Sequence, residues 1–280
     1  MKLVRTTADV TGFAEGLRQT GQRLALVPTM GFLHEGHLSL IREGSRRADA
    51  VAVSIFVNPT QFGPQEDLSR YPRDLEGDLG KCEGAGAALV FAPEPTELYP
   101  EGYQTFVEVT ELAHGLCGER RPGHFRGVAT VVTQLLCLFR PHLALFGEKD
   151  YQQLQVIRAL AQDLHLGVEI VGLPTVREAD GLAMSSRNSY LSAENRSRAL
   201  ALWRGMGRAK ELHARGVKEV RELVTAVREE LKKDQVREDY VEIVDAATLK
   251  PLSEVPPGRP ARLLVAAFVG TTRLIDNVAL

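Results

Sequence analysis

Short apolar runs alternate along the chain with longer segments of helical period. Arg23–Val27 and Ala50–Val57 are nearly continuous in apolar, β-branched-rich residues, as strands buried on both faces are. Lys2–Arg5, Ala88–Phe91, Leu143–Phe146 and Val168–Val171 predict further strands, and Thr105–Val109 alternates like an exposed one. Between them, Asp9–Thr20, His37–Arg46, Leu75–Cys82, a stretch with Val128, Val131, Val132, Leu135 and Phe139 at helical spacing, and residues 150–163 predict helices. Strands alternating with helices predict an α/β fold built on a doubly wound parallel sheet. At Pro174 the texture changes. A long polar segment, Thr175–Asn188, leads to a helix capped by Ser192 and ending near Gly216, a helix over 217–233, and strands over 239–245, 261–269 and Leu274–Val278. That pattern predicts a smaller C-terminal α+β domain, with the division at 1–175 and 176–280.

Composition narrows the class. The 280 residues carry a formal net charge of -2, which argues against a general polyanion-binding surface. Cys82, Cys117 and Cys137 lack metal spacing and read as reduced, mostly buried thiols of a cytoplasmic protein. No apolar run approaches a membrane span, and the first residues lack a signal pattern.

Polar chemistry gathers where the expected strands end. Strand 23–27 runs into Pro28-Thr29-Met30-Gly31-Phe32-Leu33-His34-Glu35-Gly36-His37, which reads as a glycine turn opening a helix. A helix N-terminus attracts phosphate, and His34 and His37, three apart, share one face of the turn. Capping, solvated histidines are the plainer reading of this stretch alone. A zinc reading is weaker, since His-Glu-Gly-His is one residue short of the His-Glu-x-x-His spacing. Asn58-Pro59-Thr60-Gln61 follows the next strand, and amides there suit hydroxyl and carboxylate groups of a small ligand. Residues 63–75 form a charged loop, and Glu119–Gly127 a basic, glycine-bearing one. Gly147–Gln153 ends a third strand, and Met184-Ser185-Ser186-Arg187 sets hydroxyls beside an arginine, as a phosphate clamp does.

The His-x-Gly-His pattern after a strand resembles the signature of adenylating nucleotidyltransferases. With Ser54–Phe62, Arg70-Tyr71-Pro72-Arg73, Gly123–Gly127, Gly147–Gln153 and Met184–Asn188, in this order, the chain resembles the pantothenate synthetase (pantoate–β-alanine ligase) family over about its first two-thirds. The resemblance implies a Rossmann-like N-terminal domain, a C-terminal domain that closes over it, and a homodimer. It also implies two reactions. Pantoate attacks the α-phosphate of Mg2+·ATP to give pantoyl adenylate and pyrophosphate, and the amine of β-alanine then displaces AMP. By that resemblance Met30, Gly31, Phe32, Leu33, His34, Glu35, Gly36 and His37 line the ATP site, with His37 the proton donor. Gly147, Glu148, Lys149, Asp150, Val176, Met184, Ser185, Ser186 and Arg187 also contact the nucleotide. His34, His37, Lys149 and Arg187 carry the catalysis. Gln61, Gln153 and Asn58 hold pantoate, and Gln61 lies near β-alanine. A nucleotidyltransferase acting on a phosphorylated acceptor and a silent nucleotide sensor are the competing readings. The Gln61/Gln153 pair argues against the first, and intact His37 and Lys149 against the second.

Overall fold

Alternate residues of the two central strands feed opposite cores, as the two-residue period of a strand requires. Leu24, Leu26, Ala50 and Ala52 join one apolar cluster; Ala25, Val27, Val51 and Val53 join another. The computed structural model describes residues 1–280. Its elements begin β1 (Lys2–Val4), α1 (Thr7–Gln19), β2 (Leu24–Thr29), α2 (Glu35–Arg47), β3 (Ala50–Ile55), α3 (Leu75–Gly84) and β4 (Leu89–Phe91). They continue with α4 (Pro95–Leu98), α5 (Leu116–Arg120), α6 (His124–Phe139), β5 (Leu143–Gly147), α7 (Tyr151–Asp163) and β6 (Glu169–Leu173). Six parallel strands lie in the order β1-β4-β3-β2-β5-β6. Helices α1, α6 and α7 cover one face and α2 and α3 the other. Strand order reverses between β2 and β5, and ligands of such sheets bind beyond the carboxyl ends at that reversal. Those two ends lead into Met30–His37 and Glu148–Asp150.

Residues 175–280 carry a different architecture. Helices α8 (Ala193–Ala214) and α9 (Val220–Lys233) pack on an antiparallel sheet of β7 (Arg237–Asp245), β8 (Ala261–Val269) and β9 (Thr272–Ala279). Two compact units result: Met1–Glu148 with Gln152–Pro174, and Lys149–Tyr151 with Thr175–Leu280.

One expectation needs correction. Thr105–Val109 joins no sheet. Its Val107 N–H donates to Thr130 Oγ1 on α6 at 3.0 Å, and Val107 and Val109 pack onto the core, so the α6 surface replaces a neighbouring strand. The cysteines are mostly buried as expected: Cys82 and Cys117 are buried, and Cys137 faces out from α6. Burial beside Asp78 pushes the Cys82 thiol up to about 12, which keeps it inert. The polar segment after Pro174 forms a tight hairpin, closed by the Arg177–Ala183 bridge.

Candidate active site

The turn after β2 is held in an unusual backbone state. Gly31 has φ 81°, and Phe32, a non-glycine, has φ 51°. Asp78, buried on α3, accepts the N–H of Phe32 at 2.6 Å and that of Leu33 at 2.7 Å. Its neighbour Lys81 donates to Leu33 O at 2.9 Å. Burial pushes the Asp78 carboxyl above the ordinary aspartate value, against the two N–H bonds and the Lys81 charge. The carboxylate therefore fixes the turn before any ligand arrives.

His34 then caps α2. Its Nδ1 accepts the Gly36 N–H at 3.2 Å, while His37 Nδ1 accepts the His34 N–H at 3.3 Å, a reciprocal capping box built from two imidazoles. The rings lie 4.1 Å apart. With Nδ1 accepting in both, each neutral ring carries its proton on Nε2, so both present N–H donors at a helix N-terminus.

At the end of β3, Asn58 and Gln61 divide their work. Asn58 is 1% exposed. Its Nδ2 donates to Gln61 Oε1 at 3.0 Å and to Gly127 O at 3.1 Å, and its Oδ1 accepts Thr60 Oγ1 and Tyr99 Oη, both at 2.9 Å. The Asn58 amide is thus taken up within the protein. Gln61 Nε2 reaches Met30 Sδ at 3.1 Å, which joins the amide turn to the histidine turn. The Gln61 backbone is clamped as well. His124 Nδ1 donates to Gln61 O at 2.9 Å, Arg121 contacts His124 Nε2 at 3.0 Å, and Arg121 pairs with Glu66 at 2.6 Å. Burial raises the Glu66 pKa, but the Arg121 bonds and charge outweigh it and hold the carboxyl below its usual range. The basic loop therefore steadies Gln61 through residues 121 and 124.

Neighbouring glutamines on α7 differ sharply. Gln152 is buried; it accepts the Cys117 N–H and donates to the carbonyls of Leu112, His114 and Gly115, so it organises the 112–117 loop. Gln153 is partly exposed and takes no part in those bonds.

Of the remaining expected nucleotide residues, Gly147 and Glu148 belong to the first unit, and Lys149, Asp150, Val176 and Met184–Arg187 to the second. Met184 N–H donates to Val176 O at 3.0 Å, which sets Val176 and Met184 side by side on the hairpin. Ser185 caps the turn Ser186–Tyr190, its Oγ accepting the Arg187 N–H at 3.3 Å. Lys149, Ser185, Asn188 and Asp276 line one depression with Leu182 and Leu274. No group of three or more His, Cys, Asp or Glu side chains gathers to hold a metal ion.

A doubly wound parallel sheet, with paired imidazoles at a helix N-terminus beside its strand-order reversal, defines a nucleotide-binding α/β protein. The family model described as pantoate-beta-alanine ligase matches residues 2–279, and the chain belongs to that family. A pantothenate synthetase of Myxococcus xanthus is 71% identical over 279 residues, covering 99% of this chain and 96% of that one. The crystal structure of pantothenate synthetase from Thermus thermophilus superposes with TM-score 0.93 at 47% identity, covering 99% of both chains. The pantoate-beta-alanine ligase of Francisella tularensis, solved in complex with beta-gamma ATP and beta-alanine, gives TM-score 0.81 at 32% identity, over 99% of this chain and 97% of that one.

Proposed function

We infer that the chain is a pantoate–β-alanine ligase that forms pantothenate, AMP and pyrophosphate from ATP, pantoate and β-alanine. The observation that carries this reading is the preset turn from Met30 to His37, joined through Met30 to Gln61. The Francisella enzyme's ATP and β-alanine support the same two substrates here.

In the first step a pantoate carboxylate oxygen attacks the α-phosphorus, and the bond to the β-phosphate bridging oxygen breaks. Charge builds on the leaving pyrophosphate. His34 and His37 supply Nε2–H donors to it, with His37 as the proton donor. Lys149 and Arg187 add fixed positive charge. Met30–Leu33, Glu35, Gly36, Gly147, Glu148, Asp150, Val176, Met184, Ser185 and Ser186 line the nucleotide. Gln61 and Gln153 orient pantoate, and Gln61 also meets β-alanine. Asn58 acts through Gln61, because its own amide is already engaged. In the second step the β-alanine amine attacks the acyl carbon, AMP leaves and the amine loses a proton. Mg2+ comes as part of the substrate Mg·ATP and lowers the charge on its phosphates. The proposal includes the domain division at 175/176, a cytoplasmic location and a homodimer; a mass of one chain by light scattering would reject the last.

Product analysis tests the reading. Pantothenate, AMP and pyrophosphate in equal amounts are expected, each dependent on all three substrates. ADP with phosphate would overturn it.

A further inference from the structure

We propose that Asp276 and Asn277, adjacent residues on β9, are positioning residues that hold two nucleotide-handling segments of the second unit in register. The proposal rests on the assignment of Lys149 and Ser185–Arg187 to the phosphates. Asp276 holds the hairpin. Its carboxylate accepts Arg177 Nη1 at 2.6 Å and Nη2 at 2.9 Å, a two-pronged pairing that fixes angle as well as distance. Arg177 also donates to Gly181 O at 3.0 Å, and its guanidinium lies 4.0 Å from the ring centre of Trp203, the only tryptophan in the chain. Gly181 has φ 97°, and a Cβ there would sit 2.2 Å from Trp203, so the hairpin tip rests directly on that ring. Beyond the hairpin, Asn188 Nδ2 donates to Glu178 Oε1 at 2.8 Å and Ala183 O at 3.1 Å, which ties the turn bearing Ser186 and Arg187 to the same support.

Asn277 holds the other segment. Its Nδ2 donates to Lys149 O at 2.9 Å, across 128 residues of sequence, while its Oδ1 accepts Arg262 Nε at 2.6 Å. The two residues are coupled, since the Asn277 N–H donates to Asp276 Oδ1 at 2.7 Å. Both are buried, at 4% and 3% exposure, beside the unit's apolar core. Buried polar groups of this kind add little net stability compared with an apolar filling, and their best-attested use is to specify position. Here the positions specified are those of Lys149 and of the hairpin that leads to Ser185.

The test uses Asn277→Asp, Asn277→Ser and Asp276→Asn in the full chain. Asn277→Asp keeps an acceptor for Arg262 and removes the donor toward Lys149. Asn277→Ser is made alongside because the aspartate sets a second carboxylate beside Asp276. Pantoate-dependent ATP–pyrophosphate exchange, and attack of β-alanine on supplied pantoyl adenylate, are measured separately. Both Asn277 variants are expected to lose about tenfold in exchange kcat, with Trp203 emission unchanged and the β-alanine step reduced less than about threefold. Asp276→Asn is expected to shift Trp203 emission and raise the KM for ATP. Undiminished exchange in both Asn277 variants, or equal losses in the two half-reactions, overturns the positioning role. Absence of exchange in the unaltered protein instead overturns the adenylating reading beneath it.

Discussion

Gly127→Ala tests how closely the turn Asn58–Gln61, proposed to orient pantoate, is fitted to α6. A methyl at Gly127 would lie 2.4 Å from Thr60 O, 2.6 Å from Thr60 C and 2.6 Å from Gln61 N, whereas ordinary contact begins at 3.4 Å. The obstacle is backbone, so no rotamer change relieves it, and turn and helix must separate by about 1 Å. Overpacking of that kind costs about 1–3 kcal/mol. Alanine in a helix returns up to about 1 kcal/mol. The net loss of stability expected is therefore about 0–3 kcal/mol. The effect on catalysis is larger. The same movement stretches the Asn58–Gly127 O bond and displaces Gln61, and a shift of about 1 Å in a positioning group can cost on the order of 100-fold in rate. Gly80→Ala is the control: it lies on the exposed side of α3, where an added methyl meets nothing within 4 Å. Urea unfolding and steady-state kinetics with varied pantoate should show Gly127→Ala active at a few per cent or less and Gly80→Ala fully active. A Gly127→Ala protein with normal kcat/KM for pantoate and the same stability gain as Gly80→Ala would refute the reasoning.

Two further outcomes concern carboxylates. Asp78→Ala leaves the Phe32 and Leu33 N–H groups without their acceptor, at about 1–3 kcal/mol each. It should lower both the urea midpoint and exchange kcat, with Asp78→Asn in between; an unaltered exchange rate in a folded Asp78→Ala protein would show that the turn is set by other contacts. Asp245 accepts N–H bonds from Thr248 and Ala247 and pairs with Arg259 at 2.6 Å; the Thr248 bond is the leading cause that holds its pKa below the ordinary 3.8. Between the two values the unfolded chain binds more protons, so this contribution is present above about pH 3.8 and is lost as pH falls through the folded value. Asp245→Asn should flatten the fall of urea midpoint between about pH 5 and 3, and an unchanged slope would exclude Asp245 as its source.

The strands and long helices were legible because their apolar periods are local. The turn from Met30 to His37 was legible because its residue types carry chemistry within ten positions. What supports that chemistry was hidden by distance along the chain. Asp78 is an unremarkable helix residue until α3 brings it, 46 positions on, beneath Phe32. Asn277 reaches Lys149 over 128 positions, so the C-terminal tail showed no cluster in sequence. Local types also misled. Asn58 looks like a ligand amide, but its burial and its four partners within the protein were not legible from its type. Thr105–Val109 alternates as a strand would, but pairing depends on a neighbour that the topology does not provide.

The central claim of the proposed function is that ATP energy is held in a bound acyl-adenylate, with the paired Nε2–H donors of the preset turn meeting the leaving pyrophosphate. Isotope exchange between labelled pyrophosphate and ATP, with pantoate and Mg2+ present and every amine left out, measures it most directly. The account predicts exchange that depends on pantoate, with AMP released rapidly only once β-alanine is added. Exchange that stays absent until β-alanine is present would contradict it.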